Sequence, residues 1–290
     1  MADNRKKPVN KPKAQNRGRR SKGAMWTWIA IGIVVAIVAA LVIIKVTAPP
    51  PKGGKYVLVT QPVLNEVTQI PASVYNTVGI TSGLTINPPT YLPGQPPLTY
   101  LVNNKPMPGS FYWGAEYCPY CAATRWAMIA AFSRFGSWDK LYTMSSAPND
   151  IAPNTPTFSF YGTNYSSKYI VFKTYEVVGP INNGVQLQAT PAKEQLLLSK
   201  YNPKGYFPFL DIGNKVFTVG TAYDPNALAG QSRETIAANL TDPTNQVTQA
   251  IIAMSNYYSA GICASTKGQP GSVCQSSGVQ AAAKALKLTF

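Results

Sequence analysis

The 290-residue chain contains no histidine. This excludes Ser-His-Asp and Cys-His catalysis and every His-ligated zinc site. Acids are also scarce, with 11 Asp and Glu against 26 Lys and Arg and a formal net charge of +15. No Gly-rich phosphate-cradling loop is present. Cysteine is limited to four residues, Cys118, Cys121, Cys263 and Cys274, all far from the N-terminus.

The positive charge is concentrated. Arg5, Lys6, Lys7, Lys11, Lys13, Arg17, Arg19, Arg20 and Lys22 precede Met25, against the single acid Asp3. With almost no apolar residues, residues 1–25 cannot bury a core and read as a disordered tail. A nearly charge-free run follows from Trp26 to Ile44, close to the roughly 20 residues that cross a bilayer as a helix. Trp26 and Trp28 suit its interfacial edge, and the basic flank orients the N-terminus to the cytoplasm. The expectation is one uncleaved transmembrane helix over 26–46 and an extracytoplasmic remainder. A cleaved signal peptide fits less well, because its apolar stretch is usually about 7–15 residues. The tail lacks aromatic or folded recognition elements, so attraction to anionic lipid accounts for it better than nucleic acid does.

Residues 47–55, Pro-rich and then Gly-rich, form a spacer. The roughly 235 residues from 56 to 290 are enough for one large domain. From Tyr56 to Pro108 the pattern reads as short β-rich segments, with a turn at Lys105-Pro106 before a buried strand. Lys140–Ser145 reads as the next core strand, Ala147–Tyr165 as loop and Lys168–Val177 as a strand. Thr190 is expected to N-cap a helix running to about Tyr201. Two helices, Arg233–Leu240 and Pro243–Ala260, close the chain.

Cys118-Pro119-Tyr120-Cys121 carries the chemistry. A strand-like segment, Gly109–Gly114, precedes it, and a helix-like one, Ala122–Ala131, follows. A thiol in the first turn of a helix is stabilised as thiolate, and Pro119 fits there because its missing N–H would have no partner. Cys118 is expected to be exposed and nucleophilic, with Cys121 one turn in and more buried. Zinc would need two further ligands, and Cys263 and Cys274 lack the short spacing of a second knuckle. A static disulfide remains the alternative.

The segment Phe111-Tyr112-Trp113-Gly114-Ala115-Glu116-Tyr117-Cys118-Pro119-Tyr120-Cys121 resembles the strand-loop-helix of the thioredoxin superfamily, with the Pro-Tyr dipeptide of glutaredoxins. Gly205–Gly220 has the layout of the cis-proline strand and hairpin that such folds carry opposite the cysteines. The resemblance implies that Pro208 is cis, that the backbone of Phe207 pairs with an extended substrate, and that the fold class is α/β, thioredoxin-like with an insertion between Cys121 and Pro208. Across its soluble part the chain most resembles an uncharacterised archaeal family of membrane-anchored, thioredoxin-like proteins from thermoacidophiles. One departure stands out: Tyr112 occupies the position of the buried acid that helps deprotonate the second cysteine in thioredoxins. Glu116, the nearest carboxylate, reads as a solvated loop residue.

Cys263 and Cys274 flank a Ser-, Gly- and Pro-rich segment and are expected to form a structural disulfide, an electron relay being the alternative. Asn164 and Asn239 begin sequons and are glycosylation candidates. The function expected is a membrane-anchored, extracytoplasmic thiol-disulfide oxidoreductase with Cys118, Cys121 and Pro208 at its centre and Tyr117, Tyr120 and Phe207 lining the groove. Its substrates would be exported proteins with cysteines, served by a redox partner, with no metal, cofactor or nucleic acid. The rival is a thioredoxin-like envelope or interaction protein whose C-x-x-C is a permanent disulfide.

Overall fold

Val63, Val67, Ile70, Val74 and Val78 recur at three- or four-residue intervals, the spacing of one helix face, and all are buried. The computed structural model describes residues 56–180, 184 and 186–290, together with Gly32. Apart from Gly32, the expected tail, membrane span and spacer lie outside the described residues. Among the described residues, no helix is long and apolar enough to cross a membrane.

The valine periodicity belongs to two helices, α1 (Gln61–Thr68) and α2 (Ala72–Val78), which follow a two-residue strand β1 (Val57–Leu58). This corrects the β-rich expectation for residues 61–78, where β-branched residues at helical spacing follow the spacing, whereas the strands expected at Tyr56–Thr60 and Leu98–Asn103 are present as Val57–Leu58 and Thr99–Val102. Next come β2 (Thr90–Tyr91), β3 (Thr99–Val102) and β4 (Lys105–Ala115). The turn before β4 is Asn103-Asn104, with φ of 49° and 60°, and not Lys105-Pro106. Two residues with positive φ give the backbone twist that a tight hairpin needs, and Asn tolerates that conformation.

Beyond β4 lie α3 (Pro119–Phe132), β5 (Ser137–Trp138), β6 (Tyr142–Ser145), β7 (Pro156–Ser159), β8 (Tyr165–Ser166) and β9 (Val171–Val178). After these run α4 (Ala192–Tyr201), β10 (Phe209–Ile212) and β11 (Val216–Val219). A 3-10 turn (Pro225–Leu228), α5 (Arg233–Asn239), α6 (Gln246–Ser265), α7 (Gly271–Cys274) and α8 (Ser277–Leu286) complete the chain. The protein is a mixed α/β fold with eight α-helices among the described residues. The chain therefore ends on four helices and not two; the last two are short and rich in Gly, Ser and Ala.

The main sheet has the order β2-β11-β10-β4-β3, with β9 also paired to β4. β4 is parallel to β9 and antiparallel to β10, so Trp113 lies opposite both Tyr175 and Phe209. Lys140–Ser145 is not the next core strand: β6 joins β1 and β7 in a separate three-stranded sheet, and β9 takes the place beside β4. The insertion expected after Cys121 includes β6 and β7 of this small sheet and the β5–β8 pair. Ala147–Tyr165 contributes the buried strand β7.

Alternation along β4 divides the core. Tyr112 joins the large cluster beneath α3 and α6, while Phe111 packs with Leu98, Leu198 and Phe209 on the α4 side. Every residue of α3 except Tyr120 is buried. A helix buried on nearly every face belongs inside a domain, and α3 runs against α6, itself flanked by α2 and α8. Cys263 and Cys274 are joined in a disulfide that ties the end of α6 to α7.

Candidate active site

β4 ends at Ala115, and two residues later the chain turns into α3. Cys118 is the N-cap of α3, with Pro119 in the first turn and an extended backbone at φ −75° and ψ 122°. Its sulfur accepts a hydrogen bond from the N–H of Cys121 at 3.4 Å. Both cysteines are free thiols. Cys121 is fully buried and Cys118 is 5% exposed, which corrects the expectation of an open first cysteine. Tyr117, Tyr120, Val178 and Phe207, each partly exposed, pack around the pair and cover it.

The two thiols are electrostatically unequal. The Cys118 pKa is held below the ordinary thiol value, first by a hydrogen bond from the Cys121 thiol and then by the N–H groups of Cys121 and Tyr120 and the charge of Arg125, against the cost of burial. Burial pushes Cys121 far up, and its donation to Cys118 and the negative charge forming there push it further. Such an inequality leaves one thiol far easier to ionise than the other.

Beneath the pair lies a charge cluster that the sequence reading missed. Arg125, completely buried, donates from Nε to Glu176 Oε1 at 2.8 Å and from Nη2 to Glu176 Oε2 at 2.7 Å. Nη2 also donates to the carbonyl of Ala115 at 2.9 Å, which pins the strand end leading into the motif. Burial opposes the guanidinium charge, but Glu176 more than offsets it and Arg125 stays protonated. Arg125 was findable, since it follows Cys121 by four residues and so shares its helix face. Glu176 was not, because β9 brings it in from 51 residues away.

Tyr112 stands beside Cys121. Its hydroxyl has no nitrogen or oxygen partner among the described residues, and it interacts with the Cys121 thiol. The ring extends over Gly114, where a Cβ would collide with the hydroxyl. Glu116 is not solvated. It is fully buried, its carboxylate accepting from Tyr56 Oη at 2.7 Å and from Ser159 Oγ. Burial, and then repulsion from Glu176, push its pKa up to about 7, against those hydrogen bonds and Arg125. The carboxylate therefore joins β4 to β7 and to the segment entering β1.

Phe207-Pro208 is a cis peptide, as is Gln269-Pro270. Pro208 is buried ahead of β10, and the Phe207 ring lies 4.3 Å from the Trp113 ring and 6.4 Å from that of Tyr117, centroid to centroid. The expected site residues Cys118, Cys121, Tyr117, Tyr120 and Phe207 thus form one cluster. Thr190 does not cap α4, whose N-cap is Pro191; its hydroxyl accepts from Trp113 Nε1 at 2.9 Å.

The other sequence candidates lie elsewhere. Arg134, just past the end of α3, donates to Ser276, close in sequence to the Cys263–Cys274 disulfide. From Cys121 to the end of α3 at Phe132 is a rise of about 16 Å at 1.5 Å per residue, and an electron relay would have to cross that length of helix. Asn164 is exposed and its side-chain amide donates to Asp139 at 3.0 Å; Asn239 closes α5. Among the described residues, no group of three or more Cys, Asp or Glu is arranged to hold a metal.

No curated protein and no solved structure matches the chain. Residues 97–264, which span β4, α3, β9, the cis-proline hairpin and most of α6, match the family described as Domain of unknown function (DUF929). The match covers more than half of the chain and includes every residue around Cys118 and Cys121 except Tyr56, so the chain belongs to that family.

Proposed function

We propose that this protein is a membrane-anchored thiol-disulfide oxidoreductase of thioredoxin-like architecture, acting outside the cytoplasm on cysteines of exported proteins. The observation that carries the reading is the inequality of the two thiols: a helix-capping Cys118 with a lowered pKa and a fully buried Cys121 with a raised one. The thioredoxin-like reading is supported by the parallel β4-α3-β9 unit that carries the cysteines, followed by a hairpin opened by cis Pro208.

In the reductive direction, the Cys118 thiolate attacks one sulfur of a substrate disulfide, and the other sulfur leaves as a thiolate with the bonding pair. Cys121 gives its proton to the substrate thiolate and attacks the Cys118 sulfur, breaking the Cys118–substrate bond so that the second substrate sulfur leaves with the electron pair and takes a proton from water. The substrate departs with two thiols, and a Cys118–Cys121 disulfide remains. The oxidative direction is the reverse. Arg125 stabilises both thiolates, and Tyr112 supplies the polar contact at Cys121 where thioredoxins have an acid.

The membrane anchor, the domain limits at residues 25, 46 and 55, and a redox partner that resets the cysteines belong to this proposal. They rest on the charge and hydropathy of the N-terminal segment. The near-burial of Cys118 favours one rival, a non-catalytic interaction protein with a permanent Cys118–Cys121 disulfide.

Equilibrating the full-length protein with glutathione buffers, with Cys118→Ser as control, separates the two. A potential in the range of roughly −230 to −120 mV supports the oxidoreductase, and one below about −300 mV supports the structural disulfide. Recovery of the intact chain in the soluble fraction of cells would rule out the membrane anchor.

A further inference from the structure

Two grooves reach the thiol cluster, each through one of its aromatic covers. The first, of about 530 Å³, is lined by Phe207, Trp113 and Val178 together with Gln188, Thr190 and Gln195. The second, of about 350 Å³, is lined by Tyr120 and Ile151 together with Thr85, Asn87, Asp224 and Asn226. Phe207 and Tyr120 both pack against the cluster of Ala115, Cys118 and Cys121, so each groove shares a side chain with the cover of the same thiol cluster.

Their chemistry differs. The lining of the first includes no charged side chain: a Trp-Phe platform is edged by carboxamides and a hydroxyl, groups suited to uncharged side chains and peptide backbone. The second carries a carboxylate and no cation in its lining. Asp224 is exposed, and its Oδ1 accepts from Asn226. A second acid, Asp150, directly precedes Ile151 of this lining, and its Oδ1 accepts from the N–H of Ile151. Ile151, 65% exposed, provides an apolar wall beside this acidic lip.

Taking the oxidoreductase reading as its basis, we propose that the two grooves select an extended polypeptide whose cysteine is flanked by an uncharged side chain on one side and a basic side chain on the other. The uncharged residue occupies the Phe207-Trp113 groove, and the basic residue lies along Ile151 with its cation at Asp224. Charge complementarity thereby orients the substrate chain across Cys118. A neutral groove alone would accept either chain direction.

The test uses the full-length protein in detergent and short peptides whose single cysteine is capped by a chromophoric aromatic thiol. The Cys118 thiolate attacks the peptide sulfur, the Cys118–peptide disulfide forms, and the aromatic thiolate leaves with the electron pair and is read by its colour. Cys121→Ala holds the adduct for identification. The peptides place lysine, glutamine or glutamate on either side of the cysteine.

Lysine is expected to react about fivefold faster than glutamate on one side only, as an exposed charge pair allows, with glutamine best on the other side. Within the Asp224→Asn variant, which keeps a capping side chain, the lysine-to-glutamate ratio falls to within about twofold, and in Asp224→Lys it inverts. Equal rates for all peptides, or a lysine preference unchanged in Asp224→Lys, would overturn the inference. If the free aromatic disulfide reacts with Cys118 while the peptides show no preference, only this inference falls. If neither the free disulfide nor any peptide reacts, the oxidoreductase reading falls with it.

Discussion

Arg125 and Glu176 form a two-hydrogen-bond ion pair with both side chains completely buried, one turn of α3 beyond Cys121. Removing one partner strands a charge in the core at a cost of about 3–5 kcal/mol. Glu176→Ala is therefore expected to unfold at markedly lower denaturant. The uncharged pair Arg125→Met with Glu176→Gln is expected to fold with stability closer to the parent. In that double variant Cys118 has lost the positive charge beneath it, so the midpoint of its alkylation against pH moves up.

The largest influence lowering the Cys118 pKa is the hydrogen bond from Cys121. Cys121→Ala removes it and raises the pH midpoint for alkylation of Cys118, as followed by mass spectrometry. Cys118→Ala acts in the opposite sense on Cys121, which loses an acceptor and a neighbouring charge that both held its proton in place.

Two buried carboxyls set the pH dependence of stability. Burial raises Glu116 from 4.5 to about 7, aided by Glu176, and raises Asp211 from 3.8 to about 7. A carboxyl with a raised folded-state pKa binds its proton more tightly when folded. Its stabilising contribution is complete below the unfolded value and is lost as pH rises through the folded one. These two groups are expected to make Tm fall as pH rises from about 4–5 to about 7. Glu116→Gln, which keeps a hydrogen-bonding side chain toward Tyr56 and Ser159, flattens this slope in thermal melts.

The Cys263–Cys274 bridge closes a short loop, with the two residues 11 apart in sequence. A loop of this size contributes on the order of 3 kcal/mol. Replacing both cysteines with alanine lowers the denaturation midpoint by a corresponding amount. The redox potential of the Cys118–Cys121 pair stays unchanged, because the bridge is at the far end of α3.

Much of the site was legible because its signals are local. Cys-Pro-Tyr-Cys at a strand-to-helix junction determines a helix-capping thiol and a second thiol one turn in, and the Gly213-Asn214 hairpin after Pro208 follows from residues adjacent in sequence. The valine spacing of α1 and α2 is equally local, and there helical periodicity outweighs the β propensity of β-branched residues.

What only the tertiary structure decided depends on residues distant in sequence. The burial of Cys118 belongs to a cluster against which Phe207 and Val178 pack from distant segments. Whether Glu116 is solvated depends on Tyr56, 60 residues earlier, and Ser159, 43 residues later. The charge beneath the thiols needs β9 to bring Glu176 against Arg125. By itself the sequence determined which groups could do redox chemistry, because bond-forming atoms and helix geometry are local properties. Their pKa values and exposure were decided by folding, because desolvation and Coulomb interactions depend on distance in space and not along the chain.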